Sequence, residues 1–185
     1  MVVTPQPVLV TERVELWQPT KEDRAAIHAI VSDPESGRFL GRGTALHEHF
    51  QRYARNAGSW WLYGYGGFIL RLRASGAVIG NGGVFHSWRG LGEGFDDRPE
   101  AGWTLRHDLV GQGLAHEAVA AAIGWFERER GAQDIFCMIS EGNDRSFALA
   151  ERLGFARVRE AQLPGGDAVI VLVRPANGLP PSAPA

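Results

Sequence analysis

Two short stretches carry residues whose types and spacing could do chemistry. The first is the turn Leu109-Val110-Gly111-Gln112-Gly113-Leu114-Ala115, which opens the strongest helical pattern in the chain. Glycines there let the backbone turn tightly and approach a ligand. The unpaired N–H groups at a helix start point at an anion and the helix dipole favours negative charge, so the turn suits the phosphates of a nucleotide cofactor. A tight strand-to-helix turn that binds nothing meets the same spacing. The second stretch is Asn143-Asp144-Arg145-Ser146, leading into a helix that closes at Leu153-Gly154-Phe155. Its first turn holds an amide and a hydroxyl, groups whose commonest task is to cap a helix.

Other chemistries fail on spacing. Gly111-x-Gly113 is not completed to the dinucleotide fingerprint, because the third glycine position is His116. Lys21 is the only lysine and no Gly-Lys-Ser/Thr exists, which removes the Walker A loop. His116-Glu117 begins like a zinc motif, but its second histidine is Ala120. His47 and His49, two apart, would face different sides of a helix. No metal is therefore expected. Cys137 sits in the apolar run Ile135-Phe136-Cys137, where cysteine behaves as a small hydrophobe rather than a nucleophile.

The elements that must position these residues follow from periodicity. Val14 and Leu16 alternate with polar residues in a first strand over 11–17. Thr20 precedes a helix that Asp33-Pro34 ends, and a second helix is expected over 45–57, closed by Gly58. Aromatic and β-branched stretches at 60–65, 67–73 and 77–86 read as β structure, with Ala74-Ser75-Gly76 as a hairpin turn. Residues 87–99 read as a polar, glycine-rich loop, followed by a strand over 100–106. Leu114, Ala118, Ala122 and Phe126 lie four apart in a helix over 113–130. Strands at 134–140, 155–160 and 168–174 complete a mixed α/β chain with one sheet.

The 185 residues form one domain over 8–174, with a disordered tail over 175–185, where Pro, Ala and Gly dominate. Nineteen basic against twenty-one acidic residues give a net charge of −2, which argues against nucleic acid as a partner. No run approaches the ~18 apolar residues of a membrane span. The N-terminus lacks the positive region of a secretion signal, so the expected compartment is cytoplasmic.

Taken together, VGQGLAHEA and GNDRSFALAERLGF, with TERVELWQPT and PEAGWTLR before them, resemble the GCN5-related N-acetyltransferases (GNAT), most closely the branch of ribosomal-protein alanine acetyltransferases. The resemblance implies a GNAT fold: a central, mostly antiparallel sheet, splayed at its middle, with helices on both faces. It implies an acetyl-CoA-dependent N-acetyltransferase acting on a primary amine, either a small molecule or a protein N-terminus. A non-catalytic acyl-CoA sensor of the same fold is the alternative. The protein would act as a monomer or homodimer.

The resemblance also assigns roles. Gly111, Gln112, Gly113, Leu114 and Ala115 would hold the pyrophosphate, with His116 beside it, although Val110 departs from the family's Arg/Gln at the first position. Backbone groups of Trp103, Thr104 and Leu105 would pair with the pantetheine, and Asn143 would hydrogen-bond it. A strand N–H would polarise the thioester carbonyl. Glu100 would be the base, with Asp97 and His86 in reserve. Many relatives place a tyrosine where Ala150 stands; Ser146 would instead meet the leaving thiolate. Trp60, Trp61 and Trp88 would pack the core or wall the acceptor pocket. Should the 87–99 loop overhang the cleft, its acids Glu93, Asp96 and Asp97 would favour a cationic amine.

Overall fold

Alternating burial defines the first strands. In β2 (Val14–Trp17) Val14 and Leu16 are fully buried while Glu15 and Trp17 are half-buried, the period of a sheet with one packed face. The computed structural model describes residues 6–40, 45–92 and 94–176. A short β1 (Leu9–Val10) pairs with β2 and was not expected. The order continues with α1 (Arg24–Ser32), α2 (Leu46–Tyr63), β3 (Phe68–Leu72), β4 (Val78–Ser87) and β5 (Arg98–Leu105). After a 3-10 turn come α3 (Leu114–Arg130), β6 (Ile135–Ser140), α4 (Asp144–Arg152), β7 (Ala156–Gln162) and β8 (Ala168–Arg174).

The eight strands form one sheet in the order β1-β2-β3-β4-β5-β6-β8-β7. Every neighbouring pair is antiparallel except β5 and β6, which meet at a single register pair, Glu100 with Phe136. Beyond that pair the two strands part, so the sheet splays at its middle as expected. Successive residues of a strand face opposite sides. Ile69 packs against Ile27, Ile30 and Val31 of α1, whereas Phe68 and Leu70 pack against Leu114, Ala118 and Ala122 of α3. Helices therefore cover both faces.

The second helix departs from the sequence reading. It does not stop at Gly58 but runs on to Tyr63, through the stretch expected to be β. Glycine inside a helix costs ~1 kcal/mol relative to alanine, and tertiary contacts outweigh that. Trp60 packs on Phe68 and Trp125, with ring centroids 4.9 and 5.4 Å away, and its indole N–H donates to the Gly67 carbonyl. Buried Ser59 donates to the Tyr65 carbonyl and accepts from the His86 N–H. The actual stop is Gly64, whose φ of 71° is the left-handed conformation that glycine adopts without a Cβ penalty. Most of the expected tail, 177–185, lies outside the described residues, as do residues 1–5 and Glu93.

Candidate functional site

A cleft of about 1230 Å³ opens where β5 and β6 part. It is bordered by Ala101–Leu105 on one side and Cys137–Glu141 on the other, and it runs from the start of α3 to a region under α1 and α2. The sequence-proposed residues Glu100, Trp103, Thr104, Leu105, Gly111, Gly113, Leu114, Ala115, His116, Asn143 and Ser146 all line it. Gln112 is exposed and does not; its carbonyl accepts from Arg13 at 2.9 Å.

At one end stands the glycine turn. Gly111 and Gly113 have φ of 86° and 80°, and Gly113 is the N-cap of α3. The first helical bond at this end is from the Glu117 N–H to the Gly113 carbonyl, so the earlier N–H groups lack helical partners. A latch that sequence reading missed holds the turn. Glu117 accepts from the Thr11 hydroxyl at 2.6 Å, from the Arg13 N–H at 2.7 Å and from the Arg13 guanidinium at 2.7 Å. Burial alone would raise the Glu117 pKa, but these donors together hold it below the ordinary glutamate range. The signal in the sequence was an acid in the first turn of α3, read only as part of a failed zinc motif.

Along the cleft wall, pairing with β4 divides the backbone of β5. In an antiparallel ladder successive residues direct their polar groups to opposite sides. The Arg106 N–H donates to Ile79 across β4, and the Thr104 carbonyl lies so close to Gly80 that a Cβ there would sit 2.1 Å from it. Thr104 thus spends its backbone on β4. Trp103 and Leu105, one residue out of step, turn theirs towards the opening.

Opposite stands the start of α4. Asn143 is its N-cap, and its side-chain oxygen accepts from the Ser146 N–H at 3.3 Å. The Ser146 oxygen accepts from the Trp103 indole N–H at 3.2 Å, across the splay. An indole nitrogen only donates, so the serine proton stays available for another partner. Ala150 is fully buried in the core and does not line the cleft.

Glu100 sits at the point of divergence, 3% exposed. Arg89 grips it with a two-pronged ion pair, Nε to one oxygen and Nη2 to the other, each 2.8 Å. The Ser87 hydroxyl also donates to it. The two reserve residues are joined to each other: His86 Nε2 lies 2.9 Å from Asp97, and His86 Nδ1 lies 3.0 Å from the Tyr65 hydroxyl. With both ring nitrogens engaged, His86 has none to offer an amine. Asp97 does not line the cleft, and Asp96 accepts from backbone N–H groups of its own loop, so neither acid faces an acceptor. Trp60 is a packing residue, while Trp61 and Trp88 are 89% and 64% exposed; none lines the cleft. Burial pushes the Cys137 thiol far up, and the Glu100 charge adds to this, so no thiolate is on hand for an acyl intermediate.

A family model described as an acetyltransferase (GNAT) domain matches residues 13–156. Among solved structures, a protein assigned to the GNAT acetyltransferases from Bordetella pertussis has a TM-score of 0.80 at 31% identity, covering 91% of this chain and 99% of its own. An acetyltransferase from Agrobacterium tumefaciens strain C58 follows with a TM-score of 0.78 at 25% identity, covering 94% and 96%. RimL, a ribosomal L7/L12 alpha-N-protein acetyltransferase solved in complex with coenzyme A, has a TM-score of 0.71 at 16% identity, covering 94% and 100%, a likeness of fold alone.

Proposed function

The chain belongs to the GNAT acetyltransferase family, and from that premise we propose that it moves an acetyl group from acetyl-CoA to a primary amine by direct attack in a ternary complex. One observation carries the reading. The splay at Glu100, the glycine turn and the Asn143–Ser146 helix start all border the same cleft. Its volume of about 1230 Å³ exceeds the ~300–1,000 Å³ of ordinary small-molecule pockets, which leaves room for an acceptor beside a nucleotide co-substrate. RimL, which shares the fold, is solved with coenzyme A in place.

The residues present fit acetyl-CoA. The N–H groups at the start of α3 and His116 meet the pyrophosphate. The outward-turned backbone groups of Trp103 and Leu105 pair with the pantetheine, and the Asn143 amide nitrogen adds a donor. Bound there, acetyl-CoA supplies an acetyl carbon already activated as a thioester, whose C–S bond breaks as the amine's C–N bond forms. An N–H on the open edge of β5 meets the charge that develops on the carbonyl oxygen. Glu100 accepts the amine's proton, directly or through a water, at the lone pair of its Oε1 that Arg89 leaves uncovered. Ser146 donates to the departing sulfur, its proton kept clear of the Trp103 indole. The acceptor is a small amine or a protein N-terminus.

The test is acetyl-CoA-dependent thiol release with a panel of amines, run on wild type, Ser146→Ala and Glu100→Gln. Both variants lose turnover under this reading. Unchanged kcat in both would remove the proposed roles, and no amine-dependent release by the wild type would remove the activity.

A further inference from the structure

Trp61 neither packs in the core nor walls the cleft: it stands 89% exposed on α2. Four more small or apolar residues share its side of the helix. Leu46, Phe50, Ala54, Ala57 and Trp61 recur at intervals of three and four. At 3.6 residues per turn they fall within an arc of about 80°. The charged residues Glu48, Arg52 and Arg55 fall outside that arc. Leu46 and Phe50 are 55% and 57% exposed, and Leu62, next to Trp61, is 73% exposed. Single exposed apolar side chains are ordinary, but a continuous stripe marks an interaction surface.

The opposite face of the helix already has its partners. His49 and Ser59 are buried. Tyr53 donates to the Thr20 carbonyl, and Asn56 and Trp60 donate to the Gly67 carbonyl. His49, Tyr53 and Asn56 also line the cleft. The stripe thus takes no part in folding a single chain.

Its size and pattern say what covers it. Taking ~200 Å² for a fully exposed large apolar side chain, the exposed fractions of Leu46, Phe50, Trp61 and Leu62 come to roughly 550 Å². A standard interface takes ~800 Å² from each partner, so these four side chains supply about two thirds of one half. The order of sizes also suits a reversed copy. Leu46 and Trp61 stand at the two ends, with Ala54 near the middle. A two-fold axis beside Ala54 lays α2 antiparallel on a second copy. Leu46 then lies opposite Trp61 of that copy, and Phe50 opposite its Ala57. Ala54 meets itself where the helices come closest. Such a surface is self-complementary, as a two-fold dimer requires. A net charge of −2 per chain opposes the pairing only weakly. Residues 177–185 hold one large apolar residue, Leu179, too little to cover a stripe of about 22 Å.

We propose that the outer face of α2 is a homodimer interface, in which Leu46, Phe50 and Trp61 pack antiparallel against the same residues of a second copy around Ala54. The pairing braces α2 from outside while its inner face borders the cleft. It does not depend on the transferase reading.

Sedimentation equilibrium of the full chain over a dilution series reads the mass directly. A species of twice 20.2 kDa is expected. F50E and W61E each change an exposed side chain. Each should raise the dimer dissociation constant by about thirtyfold or more, the loss that marks a central aromatic of an interface. Their far-UV circular dichroism should match the wild type, which separates dissociation from misfolding. A second variant, A54C, tests the geometry. Antiparallel helices 8–10 Å apart bring directly opposed Cα atoms within disulfide range. A54C should therefore form a disulfide-linked dimer with oxidised glutathione, and H47C, far from the axis, should not. The native Cys137 is buried and does not compete. Removal of residues 177–185 should leave the dimer intact. A monomer at every concentration, a dimer that withstands both glutamates, a dimer lost with residues 177–185, or a dimer that A54C does not cross-link overturns the proposal.

Discussion

Ser146 and Glu100 test different halves of the chemistry. Ser146 lies half-buried with one oxygen lone pair occupied by the Trp103 indole. Ser146→Ala should lower kcat by about 10²-fold, the smaller end of what a positioned proton donor contributes, while the dissociation constant for acetyl-CoA changes little. Steady-state kinetics beside calorimetric titration checks this; equal losses in both would make Ser146 a binding group. Glu100→Gln has a structural consequence as well, because it strips Arg89 of the carboxylate that neutralises it. Breaking a buried pair from one side costs about 3 kcal/mol, so a lower melting temperature should accompany the loss of turnover. The sequence made both residues legible through type and position. It could not show the Arg89 fork, because a partner eleven residues away across a hairpin leaves no local pattern. Nor could it show that His86 and Asp97 answer each other.

Among the elements, α3 depends on a contact far away in sequence. Glu117 ties its first turn to Thr11 and Arg13 in the turn just before β2. Glu117→Gln should loosen the glycine turn and weaken acetyl-CoA binding by several-fold, read by titration. The pH dependence follows from the sign of the shift. The folded-state pKa of Glu117 lies below the ordinary 4.5, so the latch contributes its full stability above that value. It loses this contribution as pH falls through the folded pKa. The difference in melting temperature between wild type and E117Q should therefore be constant near neutrality and shrink below about pH 4.5. Helix α3 itself was plain from its fourfold apolar spacing. The end of helix α2 was not: its start was legible, but Gly58 and the aromatic run after it carry β-like signals locally. Only the packing of Trp60 on Phe68 and Trp125 overrides them.

Across the whole molecule, function rests on one interruption. Seven strand pairings hold the sheet, and the one parallel pairing reduces to a single register pair. The apolar cluster that spans the splay and the one formed by β2, β3, β4 and the start of α3 share Trp125 of α3, which packs against both. That helix can therefore keep the cleft open while carrying the glycine turn at its start. The sequence implied the splay only through family resemblance, since a parallel contact between β5 and β6 across α3 has no local signature.

The most direct test of the central claim is thermal melting with acetyl-CoA, CoA, NADPH and ATP in parallel. A ligand at about 100 times its dissociation constant adds ~2.7 kcal/mol, which for a domain of this size is roughly 5–10 °C. The account predicts a shift of that size with acetyl-CoA and CoA and none with NADPH. No shift with either CoA species at millimolar concentration would contradict it, leaving the Gly111–Ala115 turn as a structural feature and the cleft without its proposed co-substrate.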